Sequence, residues 1–308
     1  MVLHTWAVDV RRLLGNSALM MTLSLITALA LGGFPDGLPL TNGNIAMLAL
    51  MVMMSLSLTN LRLRGLRVQD HSRFIVRAFL LSMVVASGAS ILMSFLFEGD
   101  LRSGWILMAA LPSAISVIPF TFIMKGDLEP TVVSTAVLYI SALAFTPLLT
   151  FLFLGEAVDV MVLVTYVAIL LLLPLIISRP LRMLDIDPRD RGAMINVALF
   201  VLFVAIAGPN RDIFFNDWRL LSMLLVAAFV RIFGVGLLWD RYLRHKKVER
   251  SRRVPEVLFS SHKNTGMAAT LAIALLGPAA AVPAIICAVM DIAWLIFLSH
   301  WLFRDRPE

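Results

Sequence analysis

The sequence predicts an all-α membrane protein of ten transmembrane helices, in two inverted five-helix repeats with helices four and nine broken. Three observations predict it: an apolar excess that no water-soluble core can hide, an uneven sharing of basic residues between alternate loops, and polar interruptions at matching places in the two halves.

Apolar residues make up 60% of the 308, only 15% are charged, and the mean hydropathy is +0.90. A soluble domain carries about 25% charged residues, so the solvent for this surface has to be lipid. Unbroken runs such as Val160 to Ile177 exclude a membrane β-barrel, whose strands alternate polar and apolar residues. The single cysteine, Cys287, excludes a disulfide framework and a cysteine-built metal site.

Apolar stretches bounded by charge, glycine or proline fall at 17–34, 43–59, 73–97, 103–125, 128–154, 158–178, 192–208, 218–240, 256–277 and 281–303. The first can also be read as a signal peptide, because Arg11 and Arg12 precede it and Ala28-Leu29-Ala30 has a cleavage-like spacing. The two-halves pattern requires it as a span. An even count puts both termini on one side. The loops on that side hold twenty Lys and Arg residues, and the opposite loops only Arg102, Arg211 and Arg219. Basic loops mark the cytoplasmic face. The expectation is a multi-pass protein of the cytoplasmic (inner) membrane with both termini inside. This topology explains the pI near 10.1 with the lipid bilayer as partner and no nucleic acid.

Two spans break the rules of hydrocarbon. The fourth reads Leu111-Pro112-Ser113-Ala114-Ile115-Ser116-Val117-Ile118-Pro119-Phe120-Thr121, where each proline removes a helical hydrogen bond and crowds the preceding turn. The ninth contains Ser260-Ser261-His262-Lys263-Asn264-Thr265-Gly266. A lysine at the centre of a span costs about 2.5–3.5 kcal/mol on insertion scales. Cutting the chain near residue 156 gives repeats 1–156 and 157–308, each of five spans with its fourth disrupted. Interrupted segments at matching places in inverted halves point to a transporter's binding site. The candidate substrate-binding residues are Ser113, Ser116, Thr121, His262, Asn264 and Thr265, with Pro112, Pro119, Gly266 and Asp291 in support. The competing reading is a proline kink plus a polar helix contact, as in many membrane bundles.

Span five carries Thr131, Ser134 and Thr135 on one helical face. These hydroxyls either serve the site or bond back to their own helix. Arg77 and Arg231 are expected to snorkel. Asp291 lies too deep for that and needs a partner. Glu256 after Pro255 reads as a helix's first turn.

These stretches resemble the bile acid:sodium symporter family. The resemblance rests on Leu111-Pro112 through Lys125-Gly126-Asp127, Thr131 to Thr135 with Thr146-Pro147-Leu148-Leu149-Thr150, and Asn264-Thr265-Gly266-Met267-Ala268 followed by Gly277-Pro278. It implies a core of helices 3–5 and 8–10, a panel of helices 1, 2, 6 and 7 that rocks against it, and a small organic anion as substrate, such as a bile acid, a pantoate-like acid or a keto acid. It implies no cofactor beyond a coupling ion. In sodium-coupled members a Ser-Asn pair follows the proline of helix four, where this chain has Val117 and Ile118. A glutamate and a glutamine precede the Asn-x-Gly of helix nine, where it has Phe259 and Lys263, and a glutamine of helix three falls near Ser82. Thr131 and Thr135 match the hydroxyl sodium ligands. Sodium wants oxygen donors, one of them anionic, so the arrangement that the resemblance implies looks dismantled.

Three readings of Lys263 stay open, together with Thr131 and Thr135 as the ion-coupling set. Its ammonium stands where a sodium ion would; or it gives up its proton when desolvated and couples transport to protons, alone or with His262; or it pairs with Asp291 or Glu256 and braces the fold. Rival functions are an arsenite exporter of the same fold, whose cysteine in the fourth-span break is Ser113 here, an intramembrane enzyme, and a channel. Ser260, Ser261 and His262 are consecutive, so no serine–histidine dyad forms among them on a helix.

Overall fold

The computed structural model describes residues 13–35, 37–59, 68–155 and 158–304, and every regular element among them is helical. Arg11, Arg12, Arg62, Arg64, Arg67 and Arg306 of the predicted basic loops lie outside the described residues.

Helix α1 is Ser17–Leu31, started by Asn16, whose side chain accepts from the Leu19 amide, and ended by Gly32 at φ 78°. Helix α2 is Asn42–Leu58, capped by Thr41. Helix α3, Val68–Ser94, contains a π-helical stretch at Leu80–Ala86. Helix α4, Gly99–Ala110, stops before Pro112, and the short α5, Val117–Ile123, resumes beyond it. Pro119 sits in the first turn of α5, where its missing N–H has no helical acceptor to serve. Next come α6, Leu128–Leu154, and α7, Val160–Met183, then α8, Pro188–Asn216, and α9, Trp218–His245, with a π-helical stretch at Val230–Gly234. Helix α10, Arg250–Ser261, is separated from α11, Thr265–Leu275, by His262, Lys263 and Asn264. Helix α12 is Pro278–Leu302.

Six of these helices, α3, α6, α7, α8, α9 and α12, are long and apolar enough to cross a membrane. Helices α1 and α2 are shorter and apolar. Large apolar side chains such as Ile26, Phe122, Ile140, Leu152, Met161 and Ile176 are exposed, while Ser82, Ser87, Ser90, Ser113, Lys263 and Asp291 are buried. Apolar outside and polar inside is the reverse of a water-soluble fold. This is a multi-pass membrane protein.

One expected boundary is wrong. Helix α10 begins at Arg250, so Pro255 and Glu256 lie inside it and not in a first turn. A proline there strands the carbonyl four residues earlier. That carbonyl, on Ser251, accepts from the Asp127 amide at 2.9 Å. The Lys125-Gly126-Asp127 turn therefore docks on α10. A Cβ at Gly126 would lie 2.9 Å from Val254, which leaves room only for glycine.

Helix α8 packs on α1 and α2, and α2 on α7. Helix α12 packs on α4, α9 and α11, and α3 packs on α4, α6 and α10. Helices α4 and α12 meet backbone to backbone, since a Cβ at Gly104 would lie 1.9 Å from the Ala280 carbonyl oxygen. Gly104→Ala is expected to destabilise the protein by about 1–3 kcal/mol, read as a lower unfolding temperature in detergent. Gly88→Ala, at a helical site with nothing within 4 Å of the new methyl, is expected to leave that temperature unchanged or raise it slightly.

Candidate functional site

A helix that stops inside a packed bundle leaves its last carbonyls without helical donors, and water cannot reach them. Helix α4 ends this way at Ala110. The oxygens at its very end have partners from other elements. The ammonium of Lys263 donates to the Ala109 carbonyl at 3.1 Å and to the Leu111 carbonyl at 2.6 Å, with Ser87 Oγ as its third acceptor at 2.8 Å. Thr146 Oγ1 donates to the Ala110 carbonyl at 2.8 Å, and the Asn264 amide to the Pro112 carbonyl at 3.0 Å. The last bond ties the two interruptions together through their backbones.

Lys263 is fully buried, at 0% exposure. Taking an ammonium out of water costs several kcal/mol. Three oxygens and the negative end of the α4 dipole offset that cost. Lys263 pairs with neither acid expected of it. Glu256 Oε1 accepts from Arg77 at 3.2 Å, and Asp291 faces His262.

The end of α10 is built alike. Its last carbonyl, on Ser261, accepts from Arg231 Nη1 at 2.8 Å, while Arg231 Nε reaches Ser90 Oγ at 3.2 Å. Arg231 is 1% exposed and held in the interior, so it does not snorkel as expected. Arg77 does keep much of its side chain in the open, at 59% exposure. The two interior cations thus bond to Ser87 and Ser90, one turn apart on α3, and each closes the C-terminal end of one interrupted helix.

The candidate substrate residues divide. Ser113 gives its amide and hydroxyl to Ser82 Oγ at 3.0 and 2.8 Å, with its hydroxyl also 3.4 Å from the Phe259 carbonyl, so its polar atoms fasten α3 to the junction. Thr121 is buried and its hydroxyl has no partner among the described residues. Ser116 Oγ lies 2.8 Å from His262 Nε2, and His262 Nδ1 lies 3.3 Å from Asp291 Oδ1. Asn264 caps α11 by accepting from the Met267 amide and donates to Tyr139 Oη at 3.0 Å. Thr265 opens α11, and a Cβ at Gly266 would touch Leu50 of α2 and Leu202 of α8. The junction therefore abuts the α2–α8 face at this point.

Thr131 and Thr135 donate to carbonyls of their own chain, on Asp127 at 2.6 Å and on Thr131 at 2.8 Å, and Ser134 Oγ is buried without a partner. Phe259 packs edge-on against Phe74 and offers only its carbonyl. Ser87, Ser90 and Tyr139 escaped the sequence reading, which gave Arg231 and Thr146 no part in the junction. The serines at positions 82, 87 and 90 of one apolar span were the visible signal for some of them.

A helical membrane bundle whose two interrupted segments meet in its interior has the build of a membrane transporter. Residues 41–187 match the family model described as Sodium Bile acid symporter family, a stretch that runs from α2 to the end of α7. Over that stretch the chain is similar to the sodium bile acid symporter family, whose members are transporters and not enzymes. No curated protein matches it.

Lys263→Met is expected to destabilise the fold by about 3–5 kcal/mol, because it leaves buried carbonyls unpaired. Ser87→Ala removes one of the three acceptors and is expected to cost about 1–2 kcal/mol. Thermal unfolding of the purified variants in detergent gives the order.

Proposed function

We propose that the chain is a secondary active transporter of a small organic anion, working by alternating access in the cytoplasmic membrane with both termini inside. In this reading ten spans form inverted repeats 1–156 and 157–308, with α4–α5 and α10–α11 as the broken fourth and ninth spans. Two features support the repeat: π-helical stretches occur in both α3 and α9, and each precedes an interrupted helix whose end is closed by a buried cation. The mutual packing of α1, α2, α7 and α8 supports a panel that moves against the remaining helices.

The observation that carries the mechanism is the coordination of Lys263 Nζ by three oxygens at the end of α4. A metal cation would bind to such a set of carbonyl and hydroxyl oxygens. Here a tethered ammonium occupies the set, at a position where the family's sodium-coupled members carry a glutamine. Arg231 fills the corresponding place at the end of α10. Phe259 supplies no carboxylate, and Thr131 and Thr135 already donate to their own backbone. In this reading Lys263 stands in for a sodium ion at the end of α4, so transport is independent of sodium. The anion binds beside Ser116, His262, Asn264 and Thr265, where the N-terminal end of α11 and the interior cations favour negative charge. An arsenite-exporter reading lacks the thiol it needs, since Cys287 lies in α12 and the interrupted fourth segment holds serines.

Counterflow of labelled pyruvate, pantoate and cholate in proteoliposomes tests the reading. Exchange of at least one anion is expected, at a rate unchanged when potassium replaces sodium. Exchange that stops without sodium would overturn the role given to Lys263.

A further inference from the structure

Five charged side chains besides His262 are buried among the described residues: Arg231, Asp240, Glu256, Lys263 and Asp291. Arginines hold two of the three carboxylates. Asp240 pairs with Arg244 at 2.6 Å and Arg253 at 3.1 Å, and Glu256 pairs with Arg77. Asp291 is different. It is 3% exposed, neither carboxylate oxygen accepts a hydrogen bond, and no lysine or arginine among the described residues reaches it. Its one close ionisable neighbour is His262, 3.3 Å away and oriented too obliquely for a hydrogen bond. Leaving a carboxylate unpaired in a dry interior costs several kcal/mol. A proton taken up by the pair removes that cost.

We propose that His262 and Asp291 form a proton-binding dyad that couples movement of the anion to a proton gradient, a proposal that rests on the carrier reading above. A coupling cation has to enter from one side and leave to the other. Lys263 and Arg231 are covalently attached and can do neither. The dyad can, because its proton exchanges with whichever water face the junction opens to. Ser116 Oγ, 2.8 Å from His262 Nε2, links the dyad to the anion site. An anion beside Ser116 favours the protonated imidazole, and by reciprocity the proton favours the anion. The groups facing the dyad are Arg231 from α9, Lys263 from the junction, Cys287 one turn earlier on α12, and Tyr139 of α6 through Asn264. Helices α4, α8 and α11, which also pack on α12, contribute no buried charged side chain.

The test uses the full chain in proteoliposomes, with pyruvate, pantoate or cholate as probe, whichever exchanges in counterflow. The membrane potential is clamped and protein-free vesicles correct for diffusion of the neutral acid. With one proton per monoanion, the accumulation ratio is expected to rise about tenfold for each pH unit of inward proton gradient. Addition of the anion is expected to alkalinise the outer medium. Asp291→Asn is expected to bring the ratio down to about one, and infrared difference spectra between acid and alkaline samples are expected to lose a protonated-carboxyl band relative to wild type. The spectra separate loss of a titrating group from a merely structural defect. Accumulation by wild type that ignores the gradient, or an Asp291→Asn variant that still follows it, overturns the dyad and leaves the carrier reading standing. Absence of exchange for all three probes overturns the carrier reading itself.

Discussion

A helix stopped inside a bundle that lipid surrounds exposes carbonyl oxygens that neither water nor hydrocarbon can solvate. Satisfying those oxygens is the constraint on which the junction depends. At the end of α4 the Ala109, Ala110 and Leu111 carbonyls draw donors from α6 and from the residues between α10 and α11. The Pro112 carbonyl draws the Asn264 amide. The same logic recurs at Pro255, whose stranded carbonyl partner on Ser251 is taken by the Asp127 amide. Each unpaired backbone group would cost a few kcal/mol, so the polar residues inside this apolar chain are placed where helices fail.

Mobile and tethered cations solve that problem with different consequences. A bound metal ion closes a helix end only while it is present, so its arrival and departure can drive a change of shape. Lys263 and Arg231 close the two ends permanently. On the proposed reading the junction needs no coupling ion to close it, and the energy for uphill transport enters elsewhere. Ser82, Ser87 and Ser90 show how fully α3 is committed to this arrangement: one holds Ser113, one Lys263 and one Arg231. Their hydroxyls are small enough to let α3 approach the junction closely and polar enough to finish its hydrogen bonding.

Much of this was legible in the chain itself, because lipid leaves few choices. Apolar length set most helices, and proline at position 112 together with a lysine at 263 marked both interruptions. What was not legible depends on which side chain reaches which oxygen. Arg231 reads as a residue that could snorkel, and only its bond to the Ser261 carbonyl places it in the interior. Glu256 after Pro255 reads as a first turn because proline favours such positions, yet a tertiary donor lets the helix run on through it. Ser113 next to Pro112 reads as a ligand until Ser82, 31 residues earlier, is seen to use it. Thr131 and Thr135 keep the spacing of ion ligands, and where their hydroxyl protons go, to carbonyls four residues earlier, is seen only in the structure.

The balance of charge around the junction connects these features to the choice of substrate. Lys263 and Arg231 lie at the two helix ends and Asp291 faces His262, all of them buried. An excess of positive charge in a medium that screens poorly attracts an anion and excludes a free cation. On the proposed reading a sodium ion would add to such an excess. A proton avoids the difficulty if it arrives with an anion, since the pair adds no net charge to the interior. Trp294 helps to hold the charges where this balance works: its indole nitrogen donates to Ser261 Oγ at 2.9 Å, beside the carbonyl that Arg231 closes. The residues that let the helices break are therefore the same ones on which the proposed choice of ions rests.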